Sequence, residues 1–143
     1  PNIDKGFKEI QKLIEYTCKT SSRWYYLKNL GQQYFFSTVR QCNAFIGNSS
    51  SGISEIPSLY VPTVNIGSRQ FGRPRSFSII DTNFEVKNIQ RAIKKSMSKN
   101  FQKEIKKSKN LFYRNDSLKI INKNISKFLK LKNKKKLFYN INF

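Results

Sequence analysis

Two short apolar runs, "NAFIG" at 43–47 and "VPTVNIG" at 61–67, each end in glycine and flank a segment that opens with small hydroxylic residues. Runs this short and this apolar suit strands buried on both faces. Between them, "SSSGISEIPSL" passes from a serine-rich turn into a short helical pattern. The order strand, small-residue turn, short helix, strand commits the chain to an α/β fold with a parallel sheet, because parallel neighbours need a crossover connection. "RSFSIID" at 75–81 predicts a further strand.

Helical spacing surrounds this centre. Phe7, Ile10, Leu13, Ile14 and Cys18 fall on one face of a helix expected to be buried along that face, after a turn at residues 1–6. "SRWYYLKNL" at 22–30 is short, aromatic and bounded by Ser22 and Gly31, and predicts a strand. "QQYFFSTVRQC" returns to helical spacing through Tyr34, Phe35, Thr38, Val39 and Cys42. From Val86 the chain turns helical in three pieces, "VKNIQRAIKKSM", "FQKEIKKSKNLF" and "DSLKIINKNISKFLKL", with Asp116 or Ser117 as the N-cap of the last. Fraying is expected past Leu131. No internal repeat is visible.

Composition narrows the chemistry. With 38% hydrophobic and 14% aromatic residues, 143 residues suffice for one packed core. A membrane span would need about 18 consecutive apolar residues, and no such run occurs. The chain has no histidine, which removes the commonest general base and any Ser–His or Cys–His pair. Cys18 and Cys42 lack CxxC spacing and are expected to be buried free thiols, so neither a metal nor another cofactor is expected. The net charge of +20 is concentrated after Lys94 and reads as a solvated helix face plus a tail, with nucleic-acid or anionic-membrane contact as the alternative. "PNIDKG" is a turn-like cluster of the kind that follows a strand, so the chain is expected to be the C-terminal part of something longer.

The serine turn is where a ligand is expected. Residues 47–52 would join a strand to a helix at the C-terminal edge of the sheet, where ligands of such sheets bind. Successive backbone N–H groups at a helix start, with a dipole of roughly half a positive charge, favour an anion. Ser49, Ser50 and Ser51 add hydroxyl donors and remain small enough for a phosphate to approach. Glu55, about one helical turn later, is placed to take both hydroxyls of a ribose, although first-turn helix stabilisation of about 0.3–1 kcal/mol would explain it too. Neither GxxxxGK[ST] nor GxGxxG is present, so the common triphosphate and dinucleotide loops do not apply. Arg69 follows the next strand at the same edge, and Arg73 and Arg75 come soon after. Their planar forks suit phosphate.

"PNIDKG", the long stretch "FIGNSSSGISEIPSLYVPTVNIGSRQFGRPR" at 45–75, and the helical region after Asp81 resemble the C-terminal half of the hydrolysing UDP-N-acetylglucosamine 2-epimerases of sialic acid and related nonulosonate synthesis. The resemblance implies a Rossmann-like parallel sheet with flanking helices, the UDP-binding domain of a two-domain glycosyltransferase-B-like architecture that lacks its leading strands here. It implies part of that domain over 1–131 and a basic, frayed tail over 132–143. By its match to the family, Asn2 lies by the uridine, Ser49 and Ser50 hold the diphosphate, Glu55 holds the ribose and Arg69 lies at the nucleotide, with Ser51 and Gly52 in the same turn. No catalytic residue is expected in this chain, because the family's histidine and its sugar-directed acids belong to the absent part. A UDP-sugar substrate, a homo-oligomer when intact and a cytoplasmic location are further implications, and nucleic acid is not an expected partner. Where the family carries a "YGDG" type segment before its last helix, this chain has "YRNDS". A sheet without its leading strands is expected to fold poorly alone and to be inactive. A nucleotide-sugar glycosyltransferase of the same fold and a basic nucleic-acid or membrane-surface binding module remain open as alternatives.

Overall fold

The computed structural model describes residues 6–131, so Asn2 and the basic tail at 132–143 lie outside the described residues. Helices α1 (Phe7–Thr20) and α2 (Gly31–Val39) lead into strand β1 (Phe45–Gly47), a one-turn helix α3 (Ser51–Ser54), a 3₁₀ turn (Ile56–Leu59) and strand β2 (Thr63–Ile66). Strand β3 (Ile79–Thr82) and helices α4 (Val86–Ser96), α5 (Lys99–Ile105) and α6 (Ser117–Leu129) follow. The three strands form a parallel sheet in the order β1-β2-β3, as the glycine-ended apolar runs predict, with Phe45 beside Thr63 and Thr63 beside Ile79. The middle strand is the buried one: Thr63, Val64 and Asn65 are all inaccessible. A strand paired on both sides and covered by helices has no face left for solvent.

The sheet's two crossovers are built differently. Residues 48–62 travel through α3 and the 3₁₀ turn. Residues 67–78 make their crossover with no helix at all. Side-chain bonds hold that loop instead: Arg75 pairs with Asp81 through Nε at 2.9 Å, donates from Nη2 to the Gln70 carbonyl at 2.9 Å and from Nη1 to the Arg73 carbonyl at 2.6 Å. Asn65, from the middle strand, donates its amide to the same Asp81 carboxylate at 2.6 Å.

The apolar centre lies between α2, β1 and the 3₁₀ turn, where Val39, Ile56 and Val61 are buried against Phe35, Phe36, Phe45 and Leu59. Phe35 meets Phe45 edge-on at 6.1 Å, a favoured aromatic geometry. Gly52 sits over β1 and β2, and a Cβ there would lie 2.9 Å from the Thr63 methyl and 3.0 Å from the Phe45 ring. Only glycine lets the turn approach this closely, and Thr63 Oγ1 donates to the Gly52 carbonyl at 2.9 Å. Helix α4 packs on β2 and β3, and α5, in which Phe101 and Ile105 are buried, packs on α4.

Several expectations are corrected. Residues 22–30 form no strand, because among the described residues nothing pairs with them, and Trp24, Tyr25 and Leu27 stay exposed. Helix α1 forms over the predicted residues, yet none of them is buried, because among the described residues no other element covers its apolar face. Cys18 is half-buried for that reason, and Cys42, beyond the end of α2, is exposed with its thiol donating to the Thr38 carbonyl at 3.3 Å. The helix expected over 101–112 runs from Lys99, where the Ser98 hydroxyl accepts from the Phe101 amide, to Ile105. Residues 107 and 108 then turn back by short i→i+3 bonds. Asp116 occupies the N-cap position of α6 without capping it, since its carboxylate is held by Arg114 at 2.6 Å. The stretch "YRNDS" at 113–117 still turns, with Ser117 bonded to the Arg114 carbonyl through both its amide and its hydroxyl.

Candidate functional site

The serine turn leaves the C-terminal end of β1, where the sheet's geometry makes an open edge. Most of its donors are free among the described residues. The amides of Ser49 and Ser50 and the hydroxyls of Ser50 and Ser51 have no hydrogen-bond partner among the described residues, while the Ser49 hydroxyl accepts weakly from the Ser51 amide at 3.4 Å. Helix α3 is a single turn, so these local N–H and O–H groups, rather than a long helix dipole, make the turn attractive to an anion.

Ser49, Ser51 and Glu55 line one hollow of about 660 Å³. Residues 27–32 and the rings of Phe35 and Phe36 form its opposite wall. That volume is within the range of about 300–1,000 Å³ typical of ligand sites. Ser50 is exposed at the N-cap of α3 and does not line the hollow. Gly52 is buried beneath it, where its visible work is the close packing on Thr63 and Phe45.

Arg69 reaches the turn from the next crossover. Its Nη1 stands 3.4 Å from the Asn48 carbonyl, and its guanidinium has no carboxylate partner among the described residues. It borders the turn without lining the hollow. Arg75, grouped with it by sequence position, is committed to Asp81 and two carbonyls and is removed from the set of free anion ligands. Gln70 takes a place that residue-type reasoning passed over. Its buried amide donates to the Asn48 carbonyl at 2.8 Å, so the crossover 67–78 fastens the serine turn. Lys28, Gln32 and the two phenylalanines of the far wall were likewise missed, because helical spacing marks Phe35 as a packing position and says nothing of a cavity beside it. Among the described residues no cluster of three or more His, Cys, Asp or Glu could hold a metal.

Comparison with known proteins supplies the family. The sequence model of the UDP-N-acetylglucosamine 2-epimerase family matches residues 1–126. A polysialic acid biosynthesis protein, P7, of Escherichia coli is 38% identical over 98% of this chain and 36% of its own length. The GDP/UDP-N,N'-diacetylbacillosamine 2-epimerase (hydrolyzing) of Campylobacter jejuni is 40% identical over 68% of this chain and 25% of its own length. A UDP-N-acetylglucosamine 2-epimerase of Neisseria meningitidis is 36% identical over 68% of this chain and 26% of its own length. The chain therefore spans about a quarter to a third of the relatives it matches. With a parallel sheet, an open-edged serine turn and a family match over most of its length, the chain belongs to the UDP-N-acetylglucosamine 2-epimerase family.

Proposed function

We propose that this chain supplies the UDP-holding part of a hydrolysing epimerase that converts UDP-N-acetylglucosamine to N-acetylmannosamine and UDP. The observation that carries the reading is the shared hollow of Ser49, Ser51 and Glu55, with Arg69 at the same turn. The diphosphate lies on the free donors of residues 49–51, the ribose hydroxyls meet Glu55, and the base lies toward the Phe35 and Phe36 wall. The short share of the relatives' length supports a second part, elsewhere in the protein, that acts on the sugar.

In the reaction, a base takes the C2 proton of the sugar and UDP leaves from C1 by anti elimination. Water then adds to the glycal to give the free sugar. As the C1–O bond breaks, negative charge grows on the diphosphate. Donors fixed beforehand stabilise that charge more in the transition state than in the substrate. Loss of one such donor in comparable sites costs about 2.7–4 kcal/mol.

Titration calorimetry with UDP tests the assignment in the full-length protein. Glu55→Ala is expected to weaken UDP binding, whereas Arg69→Ala also lowers kcat. Unchanged UDP affinity in Glu55→Ala would refute the ribose role. Release of free N-acetylmannosamine without any acceptor separates this reading from a glycosyltransferase.

A further inference from the structure

Glu55 sits where the chain changes from α to 3₁₀ geometry, with φ −110° and ψ −48°. In a continuing α-helix the Ser54 carbonyl would accept from the amide of residue 58. Here the Ser58 amide donates to the Glu55 carbonyl at 3.0 Å instead. Residue 57, the other candidate donor, is proline and has no N–H. The break at Glu55 thus strips the Ser54 carbonyl of every local partner. Leaving a shielded carbonyl unpaired is costly, so something must take its place.

What takes its place comes from far along the chain. Asn110, in the loop after α5, donates Nδ2 to the Ser54 carbonyl at 2.8 Å and to Ser58 Oγ at 2.6 Å. Its other end is fixed as well: Oδ1 accepts from the Phe112 amide at 3.0 Å and from the Ser76 hydroxyl at 3.4 Å. Ser76 is buried and accepts in turn from the Leu111 amide at 3.1 Å. One side chain therefore spans the residues on either side of Glu55 and is itself locked in orientation.

We propose that Asn110 is a positioning residue for Glu55: by supplying the hydrogen bond that the helical break removes, it holds that break open and keeps the Glu55 carboxylate on the hollow shared with Ser49 and Ser51. Without it, the segment regains a local protein partner for that carbonyl only by re-registering, which rotates residue 55 about the helix axis. The inference rests on the reading of Glu55 as the ribose ligand, and its test separates the two.

The experiment compares UDP with 2′-deoxy-UDP in calorimetric titrations of the full-length protein. A hydrogen bond to a charged group makes the wild type favour UDP by about tenfold or more. Glu55→Ala is expected to bring that ratio near one. Asn110→Ala is expected to bring it near one as well, and Ser58→Ala to lower it part of the way. General loosening of the fold lowers both affinities together and leaves the ratio in place, so an Asn110→Ala protein with a wild-type ratio overturns the proposal. Should Asn110→Ala fail to fold, a full ratio in Ser58→Ala overturns it equally. A wild-type ratio in Glu55→Ala instead sinks the ribose reading itself, a different outcome from failure at Asn110 alone.

Discussion

The centre of the molecule and its two end helices obey the same sequence rules and meet different fates. In the centre, Ile53, Ile56, Val64 and Ile105 are wholly buried, and polar groups such as Thr63 and Asn65 are bonded across elements. At the ends, α1 and α6 carry equally regular apolar faces, yet neither has one buried residue. Leu13 in α1 and Leu118 in α6 are exposed, at 65% and 76%. The lesson is that amphipathic spacing specifies a helix and the face it would bury, while burial itself needs a second surface to meet that face. Among the described residues the centre has such surfaces and the ends do not.

Substitutions graded by expected size can break or sharpen this contrast, each read by urea unfolding. Ile56→Ala should cost the most, about 2–5 kcal/mol, because it opens a cavity in the cluster with Val39 and Val61. A loss no larger than at a surface site would show the centre to be loosely packed. Gly52→Ala comes next at about 1–3 kcal/mol, since the added methyl must displace Thr63 or Phe45. Tolerance there would show that turn and strands are free to separate. Gln70→Ala should cost about 1 kcal/mol, the worth of its bond to the Asn48 carbonyl, and should also weaken UDP binding as the serine turn loosens. Stability lost with UDP affinity intact would confine Gln70 to the scaffold. Leu13→Ser and Leu118→Ser are expected to stay within about 0.5 kcal/mol, as exposed positions do. A loss as large as at Ile56 would show those faces covered and end the contrast.

The serine turn and Glu55 were legible because their chemistry is local. Ser49, Ser51 and Glu55 lie within seven residues of one another and border one hollow. By residue type Arg69 and Arg75 look alike, both being arginines after the same strand, and only the family resemblance set Arg69 apart. The physical difference is that Asp81 claims Arg75 across the crossover. The segment 22–30 has the composition of a strand, but a strand is completed by hydrogen bonds to a neighbour, and among the described residues none stands there.

By itself, then, the sequence determined the parallel sheet, the position of the serine turn between its first two strands and the family, since each is written in residues close together along the chain. Tertiary structure alone decided which arginine remains free, that Gln70 fastens the turn, and that Asn110 bridges Ser54 and Ser58 around Glu55. The physical reason is that a side-chain hydrogen bond across loops, between residues 6, 22 or 56 positions apart, leaves no periodic trace in the sequence; it exists only once the fold has brought its two ends together.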